Sequence, residues 1–207
     1  DDLLNDADIT TVLIATRHNL HAEMVIQGIR AGKNVFVEKP LAMNDEELRR
    51  IEECYETQGN GDVKPMLMTG YNRRFSPFMT RLKVALDGRS SPLVMNYQLN
   101  SEFLPPDHWM RGEEGGGRNI GEACHIYDLF TFLTDGKVLD VKTSSVSLPD
   151  ATHARNENFS ATVSFDEGSV GTLTYTTLGS TSYPKEVLHV FVDERVYVLT
   201  DYLKLES

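Results

Sequence analysis

The 207-residue sequence has few cysteines, no long apolar runs and a deficit of basic charge. Its two cysteines are too few for a disulfide framework, so the cytoplasm is the expected compartment. Its apolar runs are far shorter than the roughly 18 residues that cross a membrane, and we expect no membrane partner. Twenty basic against 31 acidic side chains give a formal net charge of −11, which repels phosphate, so we expect no nucleic-acid partner either.

The first third of the chain has the pattern of alternating strands and helices. Residues 9–15 are an almost continuous β-branched and apolar run, which predicts a strand buried on both faces, as in a parallel sheet. Apolar residues then recur at helical spacing over residues 20–29, and Gly32 is expected to end that helix in the left-handed conformation. Residues 35–37 predict a second buried strand, which completes a βαβ unit.

A second helix and a third strand continue this pattern. Asn44 and Glu47 have the spacing of a capping box, which predicts a helix that runs to about Gln58 and stops at the glycines of residues 59–61. Residues 66–71 predict another strand. Strands that alternate with helices are typical of an α/β fold with a parallel sheet.

After Asn72 the pattern changes to that of an α+β fold. Ser76 and Pro77 predict the start of a helix, and residues 119–134 predict a second one. The polar loop over residues 101–117 is long enough to indicate a functional role. Strands are predicted over residues 93–99, 138–148, 159–165, 170–178, 187–192 and 196–199. Short turns join most of these strands, so we expect an open, mostly antiparallel sheet.

Two polar clusters follow the strands predicted in the α/β part. Ligands bind beyond the carboxyl ends of the strands in an open parallel sheet. The first cluster is residues 16–19 with His21, and the second is Glu38, Lys39 and Pro40. Burial at a strand end favours the neutral form of a lysine, which suits Lys39 to exchange a proton near neutral pH. A surface ion pair between Glu38 and Lys39 is the alternative.

A third cluster lies at the start of the helix predicted over residues 119–134. The glycines at 115–117 would let the backbone approach a ligand closely, and a helix start offers free N–H groups. Glu122, His125 and Asp128 are three residues apart, so they lie on nearby faces of one helix. A glycine-rich loop followed by a helix with a core histidine is the alternative. We expect no metal site, because His125 has no other His or Cys at ligand spacing.

Three segments of the sequence resemble one family of oxidoreductases. They are ATRHNLHAEMVIQGIRAGKNVFVEKPLA at 15–42, TGYNRRFSP at 69–77 and GGGRNIGEACHIYDLF at 115–130. Together they are similar to the glucose–fructose oxidoreductase, inositol dehydrogenase and MocA (Gfo/Idh/MocA) family, over most of residues 8–136. The resemblance implies part of a Rossmann domain that binds NAD or NADP, here residues 1–72. It also implies a C-terminal α+β domain, here residues 73–207, whose open sheet binds a sugar-like substrate and forms a homo-oligomer contact.

The resemblance also implies a reaction, the transfer of hydride between a secondary alcohol and the nicotinamide. The alcohol would belong to a sugar, an inositol or a nucleotide sugar. Lys39 would orient the substrate hydroxyl and relay its proton, and His125 would be the acid–base candidate. The implied cofactor-binding residues are Thr16, Asn19, His21, Glu38, Lys39, Pro40 and Arg73. The implied substrate-binding residues are Trp109, Arg111, Glu122 and Asp128.

The sequence departs from the family pattern in two ways. Family members often carry Asp four residues before the histidine, where this chain has Gly121. The neighbouring Glu122 is rotated by about 100° on a helix and is not a safe substitute. The chain also lacks the family's G-x-G-x-x-G loop and the acidic residue for the adenosine ribose. We therefore expect an internal fragment of a longer enzyme, inactive by itself.

Two other functions stay open at this stage. Some relatives hold NAD tightly and use transient oxidation to break glycosidic bonds, so the chain would then belong to an NAD-dependent glycosidase. A non-catalytic sheet domain that forms oligomers is the other possibility. The sequence names neither the substrate nor the choice between NAD and NADP.

Overall fold

The computed structural model describes residues 2–58, 64–146 and 155–207. The predicted helix end at residues 59–61 and the predicted strand end at residues 147–148 lie outside these ranges. The chain folds into two units, one of Asp1–Tyr71 and Asp107–Cys124 and one of Asn72–Pro106 and His125–Ser207. In the described part of the chain, no helix is both long and apolar enough to cross a membrane.

The first unit contains a three-stranded parallel sheet in the order β1-β2-β3. Its elements are α1 (Asp2–Asn5), β1 (Thr11–Ile14), α2 (His21–Arg30), β2 (Asn34–Val37), α3 (Asp45–Thr57) and β3 (Leu67–Thr69). The α/β pattern predicted from the sequence is confirmed, with β1 and β3 shorter than predicted. Gly32 has a φ of 69° just after α2, as the left-handed end of that helix requires.

The parallel sheet is buried on one face only. α2 and α3 pack on the same side, where Val25 and Ile51 join Val35 and Val37 in one apolar core. On the other side of the sheet, Leu13 is 70% exposed. The prediction that the first strand is buried on both faces is therefore wrong for this structure. Successive side chains of a strand point to opposite faces, and among the described residues α2 and α3 pack on one face only.

The start of α3 is fixed by a capping box. The side chain of Asn44 accepts a hydrogen bond from the backbone N–H of Glu47 at 2.9 Å. The Glu47 carboxylate in turn accepts from the backbone N–H of Met43 at 2.8 Å. The first bond satisfies a donor that a helix start leaves without a partner, as the sequence predicted, whereas the second bond reaches the residue before the cap instead of the cap itself.

The second unit contains a seven-stranded sheet in the order β10-β9-β8-β4-β7-β6-β5. Its helices are α4 (Pro77–Ala85) and α5 (Cys124–Thr134), of which Cys124 is the last residue of the first unit. Its strands are β4 (Val94–Asn100), β5 (Val138–Ser145), β6 (Phe159–Phe165), β7 (Val170–Thr176), β8 (Glu186–Val192), β9 (Arg195–Thr200) and β10 (Lys204–Glu206). Every pair is antiparallel except β4 with β7, so the predicted mostly antiparallel sheet is confirmed.

One face of this sheet forms the core of the second unit. Tyr97 and Tyr175 from the sheet and Phe130 from α5 are almost completely buried. Phe130 lies directly against Gly171, where a Cβ atom would be only 2.6 Å from the ring. α5 can approach β7 this closely because residue 171 is a glycine.

The helix predicted over residues 119–134 is not one regular α-helix. Asn119–Ala123 form a π-helical segment, and the α-helical pattern begins at Cys124. A π-helical turn changes the angle between successive side chains. His125 and Asp128 lie together in α5, whereas Glu122 lies in the π-helical segment before it, so the prediction that all three lie on one helix is corrected for Glu122.

The capping box gives a direct test of the first unit. Replacing Asn44 by Ala leaves the Glu47 N–H without its acceptor, and we expect the free energy of unfolding to fall by about 1 kcal/mol. Asn44→Asp keeps an acceptor in place and should change the free energy of unfolding by only a few tenths of a kcal/mol. Urea denaturation followed by circular dichroism measures both variants. Equal stability of the Ala and Asp variants would contradict the capping role.

Candidate active site

Two loops meet at the carboxyl edge of the parallel sheet. Residues 15–20 follow β1, and residues 38–43 follow β2. The ladder between the strands continues to this edge, where Glu38 donates its N–H to the Ile14 carbonyl at 2.8 Å. Both polar clusters predicted from the sequence therefore lie at the same edge, where parallel sheets bind their ligands.

His21 ties these two loops together. Its ring is completely buried, with Nδ1 2.8 Å from the Pro40 carbonyl oxygen and Nε2 3.2 Å from the Thr16 carbonyl oxygen. Both ring nitrogens thus face main-chain acceptors. His21, predicted to line the cofactor, holds in place the backbone of two residues that were assigned to the cofactor as well.

Lys39 is half-buried and fixed by the main chain of the glycine-rich segment. Its Nζ donates a hydrogen bond of 2.6 Å to the Gly121 carbonyl oxygen. The ammonium group has three donors, so two remain for a ligand. The peptide bond between Lys39 and Pro40 is cis. The alternative of a surface ion pair with Glu38 is not realised, since no such pair occurs in the described residues.

The loop before the π-helical segment packs on the loop after β1. The Arg17 guanidinium lies 4.1 Å from the centre of the Trp109 ring and 3.4 Å from the Glu114 carboxylate. The His18 ring meets Trp109 edge to face, with ring centres 5.0 Å apart. Asn19 donates its N–H to the Glu114 carbonyl at 3.2 Å. Trp109, predicted to contact the substrate, therefore also anchors its own loop at the edge of the sheet.

His18 is a second buried histidine of this site, with 5% exposure. Its Nδ1 lies 2.9 Å from the Gly115 carbonyl oxygen. Burial lowers the pKa of His18 below its ordinary value of 6.5. The hydrogen bond to Gly115 opposes this shift, and the positive charges of Lys39, His21 and Arg17 add to it. The ring is therefore neutral at pH 7.

The remaining predicted residues of the first unit have different surroundings. Thr16, Asn19 and Glu38 are exposed at the sheet edge. Gly70, just after β3, leaves space beside the Glu38 carboxylate, because a Cβ atom there would lie 3.2 Å from Oε2. Glu122 forms an ion pair of 2.8 Å with Arg118.

Arg111, another residue assigned to the substrate, is half-buried in a short 3₁₀ turn over Trp109–Arg111. Its backbone N–H donates to the His108 carbonyl at 2.9 Å. Trp109 and Arg111, the two substrate-binding residues predicted in this loop, therefore lie in one short turn, which the ring contacts of Trp109 also hold in place.

Three predicted residues lie in the second unit. His125 is buried, with 7% exposure, in the first turn of α5. Arg73 pairs with Glu186 at 2.5 Å, and Asp128 pairs with Arg74 through two hydrogen bonds, one of 2.9 Å between Oδ2 and Nε.

Arg73 belongs to a buried polar cluster around Glu186. The Tyr97 hydroxyl donates to the Glu186 carboxylate and lies 3.3 Å from the Tyr202 hydroxyl. Burial raises the pKa of Tyr97 well above its ordinary value and that of Tyr202 to about 12, so both hydroxyls keep their protons. The Arg73 charge is thus matched inside its own unit. In the same way, Arg74 and Arg118 each have a carboxylate partner.

Two features of the site were missed at the sequence level. The sequence predicted no role for His18, which lies in the first polar cluster. Gly121 was identified only as a departure from the family pattern. Their contact depends on residues more than 100 positions apart, which no local spacing reveals. Among the described residues, no group of three or more His, Cys, Asp and Glu side chains could hold a metal ion.

The carboxyl edge of an open parallel sheet is where α/β folds bind dinucleotides and other ligands, and Lys39 lies at this edge. Residues 1–63 match the model of the oxidoreductase family with an NAD-binding Rossmann fold, GFO_IDH_MocA. The chain belongs to this Gfo/Idh/MocA family, and the resemblance seen in its three segments is confirmed.

Relatives and solved structures agree with this assignment. The chain is 30% identical over 201 residues to a protein of Comamonas testosteroni named 1-carboxy-3-chloro-3,4-dihydroxycyclo hexa-1,5-diene dehydrogenase, covering 94% of this chain and 48% of that protein. It is 30% identical over 151 residues to the myo-inositol 2-dehydrogenase of Thermotoga maritima, covering 72% and 43%. The chain thus spans about half the length of the curated relatives that it matches.

The fold is also that of a solved dehydrogenase. The WlbA dehydrogenase of Bordetella pertussis, in complex with NADH and UDP-GlcNAcA, superposes with a TM-score of 0.82 at 19% identity. The match covers 100% of this chain and 64% of that one. The likeness supports the fold of both units.

Trp109 is the single tryptophan of the sequence and reports on His18. A protonated imidazole in contact with an indole ring quenches its fluorescence more than a neutral one does. We therefore expect the Trp109 emission to fall as the pH is lowered, with a midpoint below 6.5, because the pKa of His18 is lowered. A fluorescence titration between pH 8 and pH 4 measures this step.

His108 gives the matched control, since its ring centre lies 5.9 Å from that of Trp109. His18→Asn should remove the step, and His108→Asn should retain it. A midpoint at or above 6.5, or a step that survives in His18→Asn, would contradict the assignment.

Proposed function

We propose that this protein transfers hydride between a secondary alcohol of a sugar, inositol or nucleotide sugar and the nicotinamide of NAD or NADP. The observation that carries the proposal is Lys39, half-buried at the carboxyl edge of the sheet with Nζ held 2.6 Å from the Gly121 carbonyl oxygen. The inositol dehydrogenase among the relatives and the NADH complex among the solved structures support the choice of substrate class and cofactor.

The residues at the sheet edge fit the nicotinamide end of such a cofactor. Glu38 presents an exposed carboxylate, which can accept hydrogen bonds from both hydroxyls of a ribose, and Gly70 leaves room beside it. Thr16 and Asn19 offer further polar groups, and Pro40 an apolar one. When bound, the nicotinamide supplies the hydride chemistry. The sequence has no G-x-G-x-x-G loop for the pyrophosphate, and we infer that the 207-residue chain by itself is inactive.

Lys39 has the chemistry to handle the substrate hydroxyl. One of its donors is fixed on Gly121, so the remaining ones can point at the oxygen of the alcohol and stabilise the charge that develops as its proton leaves. We assign residues 1–72 to the cofactor and residues 73–207 to the substrate, with His125 as the acid–base group. Trp109, Arg111, Glu122 and Asp128 remain proposed substrate-binding residues, and Arg73 a proposed cofactor contact. Both cysteines are free thiols, in keeping with a cytoplasmic location.

Lys39→Ala in the full-length protein tests the reaction and the role of the lysine. Wild type should form NADH or NADPH with at least one member of a panel of myo-inositol, free sugars and UDP-sugars. The variant should lose about 10²- to 10⁴-fold in kcat/KM, because a positioned proton-transfer group is removed. Lys204→Ala, an exposed lysine paired with Glu206, should be as active as wild type.

The outcomes of this assay separate the hypotheses. Full activity of Lys39→Ala would overturn the role of the lysine. Absence of any nicotinamide reduction by wild type would overturn the reaction. Release of free sugar from a glycoside without net NADH formation would instead support the NAD-dependent glycosidase.

The outer face of the seven-stranded sheet carries exposed apolar side chains that could pack on a second copy of the chain. Val94, Phe191 and Val196 are paired neighbours on β4, β8 and β9, and all three are exposed. The His189 ring stacks on Phe191, with centres 6.2 Å apart. An exposed apolar group on an open sheet loses water contact when a second sheet packs on it, so we propose that this face forms a homo-oligomer.

Phe191→Asp tests this interface. A carboxylate in the centre of an apolar contact would be desolvated without a partner, so the full-length variant should be monomeric where wild type is oligomeric. Light scattering coupled to size exclusion gives the mass. Val84→Asp, the same kind of change at an exposed residue of α4, should leave the mass unchanged. A monomeric wild type, or an oligomeric Phe191→Asp, would contradict the proposal.

A further inference from the structure

The backbone at Gly121 lies against the His18 ring. A Cβ atom built on Gly121 would be 3.0 Å from His18 Cε1 and 3.5 Å from Nδ1. Such a contact is shorter than carbon atoms adopt in packed interiors, where about 3.5–4.0 Å is optimal. A side chain at the position where the family often has Asp would therefore press on the His18 imidazole, which would have to move by a few tenths of an ångström to admit it.

The hydrogen bond to Gly115 fixes the tautomer of His18. A carbonyl oxygen can only accept, so Nδ1 carries the proton and donates it to Gly115 at 2.9 Å. In the neutral ring, Nε2 is then an acceptor. No residue within 2–58, 64–146 or 155–207 hydrogen-bonds to Nε2. A buried ring with one nitrogen anchored and the other available is arranged as an acceptor for a ligand.

His18 and Lys39 both contact residue 121. The His18 ring faces the position that its Cβ atom would take, and the Lys39 ammonium donates to its carbonyl oxygen. The site thus presents a neutral hydrogen-bond acceptor and a charged donor next to one glycine. This pair of groups matches two neighbouring hydroxyls on a polyol ring. A carboxylate at 121 would have supplied an acceptor here, and the imidazole supplies one in its place.

We propose that His18 binds the polyol substrate, its Nε2 accepting a hydrogen bond from a substrate hydroxyl beside the one that Lys39 contacts. This inference rests on the proposed function. His18 is then a substrate-binding residue that compensates for the missing side chain at Gly121.

The protonation state of His18 makes the contact depend on pH. The charged or titratable groups around the ring are Arg17, His21 and Lys39, and Arg17 is countered by Glu114. Below the pKa of His18, which burial lowers under 6.5, Nε2 carries a proton and can no longer accept. Substrate affinity should therefore fall as the pH drops through the midpoint seen in the Trp109 titration.

His18→Asn in the full-length protein separates binding from anchoring. The Asn side-chain amide takes the position of Nδ1 and can still donate to Gly115, but it has nothing at the position of Nε2. With the most active polyol of the panel, starting from myo-inositol, we expect KM to rise about 10-fold, in line with the loss of one hydrogen bond. The KM for the nicotinamide cofactor should not change, and the pH step in polyol affinity should disappear. His108→Asn should behave as wild type.

A measurement on the unmutated protein keeps the proposal falsifiable if the variant folds poorly. Nitrogen NMR of histidine-labelled protein should show His18 as the Nδ1–H tautomer at pH 7, with an Nε2 signal that shifts when the polyol is added. An Nε2–H tautomer, an unshifted signal, or an unchanged polyol KM in His18→Asn would overturn the inference while wild-type turnover leaves the proposed function standing. Absence of turnover of any polyol by wild type would overturn both.

Discussion

Main-chain carbonyl oxygens hold the polar side chains of the candidate site, and the rest of the site depends on them. Gly121 accepts from Lys39, Gly115 faces His18, and the carbonyl of Pro40 faces His21. Each buried N–H group would be costly without an acceptor, and a carbonyl supplies one without adding charge. The glycines matter because they bring the backbone this close. At Gly115 a Cβ atom would be only 2.3 Å from Met110 Cα, so no other residue fits that turn.

Local signals in the sequence predicted most of the fold. The capping box at Asn44 and the left-handed Gly32 are set by residues within one or two turns of each other, and both were found. The features that were missed depend on distant residues. The exposure of Leu13 reflects which face carries helices, and the approach of α5 to β7 depends on the pair of Gly171 and Phe130. Neither relation has a signature within a short window of sequence.

The candidate site was predictable in its parts more than in its arrangement. Strand-end position and family resemblance both pointed to Lys39, and the structure has it at the carboxyl edge of the parallel sheet with its ammonium group on the Gly121 carbonyl oxygen. The arginines were harder to interpret, because a basic side chain in a sequence shows no partner. Arg73, Arg74 and Arg118 each have a carboxylate beside them, from residues 4 to 113 positions away. Only the folded chain shows that their charge is balanced locally.

The contact between His18 and Gly121 also restricts the order in which this site can change over evolution. A side chain gained at 121 would press on the imidazole, because its Cβ atom would lie 3.0 Å from His18 Cε1, so the ring has to shift or residue 18 has to become smaller. In the reverse direction, an imidazole enters at 18 most easily when residue 121 is a glycine. A change at one of these two positions, far apart in the sequence, therefore alters which side chains the other can carry.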